Sequence, residues 1–499
     1  LKTTRRLAIT ALALTWAVAL GAQAPATSPA GAQSEALIRS LTGPSSQLEA
    51  NLRVLTDEIG GRPTGSPEYE RALRWAVAAF QKAGVDSVKL ESYPVPFQWL
   101  PGTSSARVVS PGDYPLDVVS CGLAPSTPGP VTAPVVDVGE GKREDFDRLG
   151  GIARGAIALV HRPLMKSFED LFAEYLAGPE TMKAAADHGL AAILFISTRP
   201  RDLLYRHSVT WDSIAPIPMA LIAREDGLRL ARVIEAGAVP RVTLDIRNRV
   251  GGPGKAMNVV AEIRGSRKPK EIVLLGAHLD SWDLGTGALD NGVNCALVID
   301  VARAIAAGPR PDRTIRFVLF TGEEYGLLGS RGYVDTHRSE LDEHVAVLVH
   351  DIGDGRITGY YTDGRTDFDP ALLAILAPVK AWGADATNPE AILGTDNFDF
   401  LLEGVPNLVA IQDPSRYLAD YHASSDTFDK VDPRLARRNA AIAAVAVVGI
   451  ANAPARLGPR QTRAEVARLL ADEKWKLEMQ MKTYGLWKQW ESGQRGRAN

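Results

Sequence analysis

Four near-continuous apolar runs in the C-terminal half constrain this chain more than any other feature. They lie at residues 272–275, 315–320, 345–349 and 408–411. Runs of this length without regular alternation read as strands buried on both faces. Helical stretches lie between them, for example residues 295–306. Buried strands alternating with helices build an α/β domain around a largely parallel sheet. Such a sheet carries its functional groups beyond the carboxyl ends of its strands. The residues that follow each run are therefore the ones to read.

The first run continues into Gly276-Ala277-His278-Leu279-Asp280, and the second into Thr321-Gly322-Glu323-Glu324. The third leads to His350-Asp351, and the fourth, some ten residues on, to Tyr421-His422. Between the first two, Gly287-Ala288-Leu289-Asp290-Asn291-Gly292 opens a helix. Each piece alone has an ordinary reading: Asp-Asn-Gly makes turns, and glutamates at a helix start complement its dipole. Together they bring His, Asp and Glu to one edge of the sheet. Imidazole with carboxylate is a donor set that suits zinc. His278, Asp290, Glu324, Asp351 and His422 carry three negative charges between them. Two Zn²⁺ ions and one hydroxide balance that charge, whereas a single ion leaves uncompensated charge in a pocket. Glu323, left over beside Glu324, stands where hydrolysis needs a general base. Asp280 is spaced to accept the second ring N–H of His278 and so to support catalysis from behind.

The remainder of the chain reads as follows. Lys2, Arg5 and Arg6, the apolar run 7–20 and Ala22-Gln23-Ala24 have the three parts of a secretory signal peptide over residues 1–24. The protein is accordingly expected to be secreted or periplasmic. No later apolar run reaches 18 residues, so no stable membrane insertion is expected. Residues 25–34 form a flexible leader. Residues 35–110 carry helical periodicity and the turn-rich loop 60–66, the first part of a catalytic domain. From 111 to 250 the texture becomes short strands, such as 134–138, 156–160 and 191–196. This inserted β-rich module, with a helix or two, is expected to contain no ligand or base, and to narrow access or serve as a structural lobe. Gly251-Gly252-Pro253-Gly254 closes it. The catalytic domain resumes at 251–455. A helical tail, 456–499, packs on that domain or on a second copy in a homodimer. Fifty-six basic residues against 59 acidic ones give a net charge of −3, which excludes a polyanion-seeking surface and nucleic acid as partner. Two cysteines, Cys121 and Cys295, exclude a disulfide scaffold.

The motifs 276–282, 287–292 and 321–324, with Tyr421-His422 and Ser425-Asp426-Thr427, resemble the co-catalytic zinc exopeptidases of metallopeptidase family 28. Within it they look most like the plasma glutamate carboxypeptidase type and its bacterial relatives. The likeness covers nearly the whole mature chain. It implies the zinc-exopeptidase fold, a mixed, mostly parallel sheet between helices, with a protease-associated domain inserted at about 111–250. It also implies two Zn²⁺ per chain. His278 and Asp351 would hold one ion and Glu324 and His422 the other. Asp290 would bridge them across a cis bond to Asn291, and Glu323 would be the base. Asn291 and Asn294 depart from residues common in the family. Thr395-Asp396-Asn397-Phe398 looks like its substrate-side loop, without the His of many aminopeptidase members. The expected function is hydrolysis of dipeptides or short peptides by a carboxypeptidase or dipeptidase. An aminopeptidase is the alternative. A non-catalytic binding homologue and a single-zinc cyclase-like transferase are the lesser readings.

Overall fold

The computed structural model describes residues 29–498. The signal-peptide reading of residues 1–24 lies outside the described residues, as do residues 25–28 of the expected flexible leader; its residues 29–34 instead begin the helix Pro29–Thr42. The main sheet has eight strands, numbered here in chain order: β1 (Ser87–Val95), β2 (Gly254–Ile263), β3 (Lys268–His278), β4 (Arg313–Phe320), β5 (His344–Val349), β6 (Ile357–Tyr361), β7 (Ala386–Asn388) and β8 (Asn407–Gln412). Their order across the sheet is β1-β2-β4-β3-β5-β8-β6-β7. The four central strands, β4, β3, β5 and β8, run parallel, while β1, β2 and β6 introduce antiparallel pairings. The four apolar runs are these four central strands.

Both faces of the sheet are covered, which explains why the runs do not alternate with polar residues. Side chains of a strand point to opposite faces in turn. Val273 and Leu275 join the large core cluster, while Leu274 joins a second cluster on the opposite face. Phe317 and Leu319 divide from Val318 and Phe320 in the same way. Helices Pro67–Ala83, Val293–Ala306 and Pro433–Asn452 pack on the first face. Leu328–Thr336 and Phe398–Leu402 contribute to the second. Ser66 starts the helix Pro67–Ala83: its hydroxyl accepts from the Tyr69 amide, Pro67 follows at the first helical position, and Gly84 ends it in the left-handed conformation. Pro433–Asn452 is the one described helix long and apolar enough to match a membrane span, and most of it is buried in the core.

The chain leaves the main sheet after β1 and returns at β2. Between them it builds a second eight-stranded sheet from strands within residues 104–246. Four of its strands, Val131–Asp137, Ile157–Val160, Ala192–Ile196 and Met219–Ile222, are parallel neighbours. Parallel pairing needs crossover connections. Helices such as Arg143–Leu149 and Phe168–Asp187 supply them. It has hydrophobic clusters of its own. A two-stranded neck, Gln98–Leu100 with Arg249–Gly251, joins it to the main sheet. The tail helices Arg463–Leu470, Leu477–Thr483 and Leu486–Glu491 pack on Leu393, Phe398 and Leu401 of the same chain. Arg495 anchors them, with two 2.7 Å bonds to the buried Asp399 carboxylate.

Candidate metal centre

Strand register brings the sequence-predicted residues to one edge. His278, the last residue of β3, lies opposite Phe320, so Glu323 and Glu324 follow on its flank. Gly276 pairs with Val349, so Asp351 emerges on the other flank. His278 Nε2 lies 2.9 Å from Asp351 Oδ1 and 3.1 Å from Asp290 Oδ1. His422 Nε2 lies 3.0 Å from Glu324 Oε2 and 3.2 Å from Asp290 Oδ2. The two oxygens of Asp290 thus face different histidines. Glu323 Oε2 stands 4.0 Å from His278 Nε2, and its side chain keeps 13 % exposure while the five others are buried more deeply.

Two buried oxygens at this centre, Asp290 Oδ2 and Glu324 Oε1, have no hydrogen-bond partner. An unsatisfied buried acceptor is costly, and more so when charged. A cation supplies what they lack. Three ligand atoms lie within 4.8 Å of one another in His278, Asp290 and Asp351, and likewise in Asp290, Glu324 and His422. Nitrogen and carboxylate oxygen are ordinary zinc donors, so the residues fit the metal.

The loop carrying Asp290 is held from below. The Asp426 carboxylate accepts the amides of Ala288, Leu289 and Asp290 at 3.1, 2.7 and 3.1 Å. The fully buried Arg62 guanidinium donates to the carbonyls of Leu279, Thr286 and Gly287. Gly287 has φ +60°, and a Cβ there would sit 2.4 Å from Ser281, so only glycine fits. The Asp290–Asn291 peptide is cis. Asn291 and Asn294, the departures from the family pattern, bond to each other at 2.7 Å, and Asn291 reaches the His350 carbonyl.

Asp280 differs from the sequence expectation. His278 Nδ1 lies 3.0 Å from the Asp280 main-chain carbonyl and 3.7 Å from its carboxylate. The carboxylate is engaged elsewhere, by the Thr64 hydroxyl at 3.0 Å and the Glu323 amide at 3.4 Å. Thr64 in turn accepts the Gly322 amide. Asp280 therefore orients His278 through its backbone, and its side chain secures the Glu323 loop. Sequence reasoning missed Thr64 and Arg62 as supports, although their loop stood out. It gave no signal for Arg206 and Tyr175, which come from the second sheet's segment. His422 Nδ1 lies 3.1 Å from the Arg206 carbonyl and 3.3 Å from the Tyr175 hydroxyl. The Tyr421 ring stacks on His422 at 3.6 Å. In the 395–398 loop, Asp396 is buried and neither carboxylate oxygen has a hydrogen-bond partner.

The protein groups alone set the following electrostatics. Burial pushes Glu323 well above the usual carboxylate range; His278 opposes this, and Asp351 and Glu324 add to it. Burial raises Glu324 to about 7 against the pull of His422. Burial works against charged His422, but Glu324 and Asp290 outweigh it and hold it at about 9. Asp290 is held well below the usual range despite burial, because both histidines face it. Such opposed shifts within one cleft mark functional sites.

Residues 258–447 match the family model described as Peptidase family M28. The chain is 29% identical to carboxypeptidase Q of Mus musculus over 408 residues, spanning 80% of this chain and 85% of that protein. It superposes on the crystal structure of a peptidase M28 precursor from Shewanella amazonensis SB2B with a TM-score of 0.76 and 30% identity, covering 86% of this chain and 98% of that one. A zinc aminopeptidase from Bacillus subtilis shares the fold, with a TM-score of 0.65 and 21% identity over 80% of this chain and 93% of that one.

Proposed function

The chain belongs to peptidase family M28 and is a metallopeptidase, and from that premise we propose that it is a two-zinc exopeptidase cleaving dipeptides or short peptides from their carboxyl end. One observation carries the two-metal reading: the oxygens of Asp290 face His278 and His422 separately, and each histidine has its own further carboxylate. In this reading His278 and Asp351 would hold one ion, Glu324 and His422 the other, and Asp290 would serve both. Zinc bound there polarises the scissile carbonyl and eases deprotonation of water.

The chain's own residues then divide the work. Glu323 takes a proton from the attacking water and returns it to the leaving amine. Its carboxylate stands 4.0 Å from His278 Nε2, beside the proposed ligands, where a group that accepts and releases a proton is needed. The Asp280 carboxylate fixes the Glu323 backbone, and the Asp280 carbonyl fixes the His278 ring. Asp426 and Arg62 keep Asp290 aimed at both histidines. A complete ligand set with a base argues against a non-catalytic homologue and against a single-zinc transferase. Aminopeptidase action is the second reading. The unpartnered buried carboxylate of Asp396 favours it, since such a group suits a substrate ammonium. The signal-like residues 1–24 support export to the periplasm or medium.

A panel of dipeptides, free or blocked at either end, tests the polarity. Carboxypeptidase action predicts that C-terminal amidation stops cleavage while N-acetylation spares it. The reverse pattern establishes the aminopeptidase reading.

A further inference from the structure

We propose that the second sheet's segment acts as the positioning support of one metal ligand: the Arg206 carbonyl, with the Tyr175 hydroxyl beside it, holds the His422 imidazole and so sets the affinity of one of the two metal positions. This rests on the two-zinc reading above and extends it to residues outside the main sheet.

Residues 204–206 run antiparallel to 422–424 as a short clamp. The Arg206 amide donates to the His422 carbonyl at 3.0 Å, and the Ser424 amide to the Leu204 carbonyl at 3.1 Å. Tyr205 and Ala423 form an antiparallel bridge between them. Within the clamp His422 has φ +57°, a left-handed conformation that a side chain adopts only where its surroundings fix it. Its Nε2 faces Asp290 and Glu324, so the metal-side nitrogen is Nε2 and Nδ1 carries the proton. The acceptor for that proton is the Arg206 carbonyl at 3.1 Å. Tyr175, on the helix Phe168–Asp187, closes the same side and bonds the Tyr421 hydroxyl at 3.1 Å.

Arg206 is itself fixed in both directions. Its side chain, 2 % exposed, makes two 2.8 Å bonds to the Asp283 carboxylate of the main domain. It also donates to the carbonyl and hydroxyl of Ser120, on a strand of the second sheet. A bidentate pair of this kind gives geometric specificity. His278 is held differently, by the carbonyl of Asp280, two residues beyond it in the loop that follows its strand. One histidine thus depends on the main domain alone and the other on the second sheet's segment. Partners that orient a metal-ligating histidine typically change affinity by about 10–100-fold when removed.

The asymmetry gives the test. Wild-type protein, Arg206→Ala and Tyr175→Phe are equilibrated with buffered free zinc, and zinc per chain is counted by elemental analysis. Thermal unfolding of each metal-free protein is followed in parallel. Arg206→Ala keeps the carbonyl but frees it from the Asp283 and Ser120 anchors, so it is expected to bind one zinc as the wild type does and the other several-fold more weakly. Tyr175→Phe is expected to weaken the same single position to a smaller degree, with unchanged unfolding of the metal-free form. Two wild-type affinities in Tyr175→Phe and in a folded Arg206→Ala would overturn the proposal, as would equal weakening of both positions. Should Arg206→Ala not fold, the isosteric Tyr175→Phe decides by the same criterion. A wild type binding fewer than two zinc ions would overturn the two-zinc reading itself, and this proposal with it.

Discussion

Glu323 and Asp290 carry different parts of the proposed chemistry, and substitution separates them. Glu323 keeps the most exposure of the six site residues, and its amide is tied to Asp280. Glu323→Gln should lose about 10²–10⁴-fold in kcat while retaining both zinc ions, because positioned proton transfer has that worth. Near wild-type turnover in that variant would remove Glu323 from the mechanism. A second residue-scale prediction concerns pH. Burial, with Arg316 nearby, holds the His344 imidazole at about 3, far below its usual 6.5. The unfolded chain therefore takes up this proton near pH 6.5, whereas the folded chain does so only near 3. The stability from this group is full above 6.5 and is lost as pH falls towards 3. It should contribute a slope of about 1.4 kcal/mol per pH unit inside that window. Urea midpoints for wild type and His344→Gln should converge as pH falls across it; parallel curves would refute the assignment.

At the scale of elements, the loop before the helix Val293–Ala306 is the part most exposed to failure. Asp426 takes three of its amides, and among the described residues no other side chain does so. Asp426→Ala should lower the melting temperature and reduce bound zinc, because Asp290 loses its footing; Asp426→Asn, which keeps an acceptor oxygen, should lose less of both. Equal loss in the two variants would contradict the bonding role. The strands, and the gathering of His278, Asp290, Glu324, Asp351 and His422 at one edge, were legible in the sequence for one reason. Two buried faces remove polar alternation, and parallel strands deliver contiguous motifs to one edge. What escaped was backbone chemistry. The carbonyls of Asp280 and Arg206 orient the two histidines, and any residue carries a carbonyl. The short strands β6 and β7 and the neck escaped as well, since three to five residues hold too little periodicity to read.

Across the whole molecule, two eight-stranded sheets are joined by a two-stranded neck and meet again at the metal centre. The second meeting, at His422, is 216 residues from its partner Arg206 in sequence, a separation that no local pattern records. The tail closes the assembly from another side, through the buried Arg495–Asp399 pair. Breaking such a pair leaves a buried charge uncompensated and costs about 3–5 kcal/mol. Arg495→Ala should therefore release the tail to limited proteolysis; a tail that stays protected would contradict the anchoring role. Sharing of Asp290 by two zinc ions is decided by counting zinc per chain in the wild type and in Asp290→Ala under identical buffered zinc. Two ions are expected in the wild type and close to none in the variant, with circular dichroism unchanged. Two ions retained without Asp290, or a single ion in the wild type, would contradict it.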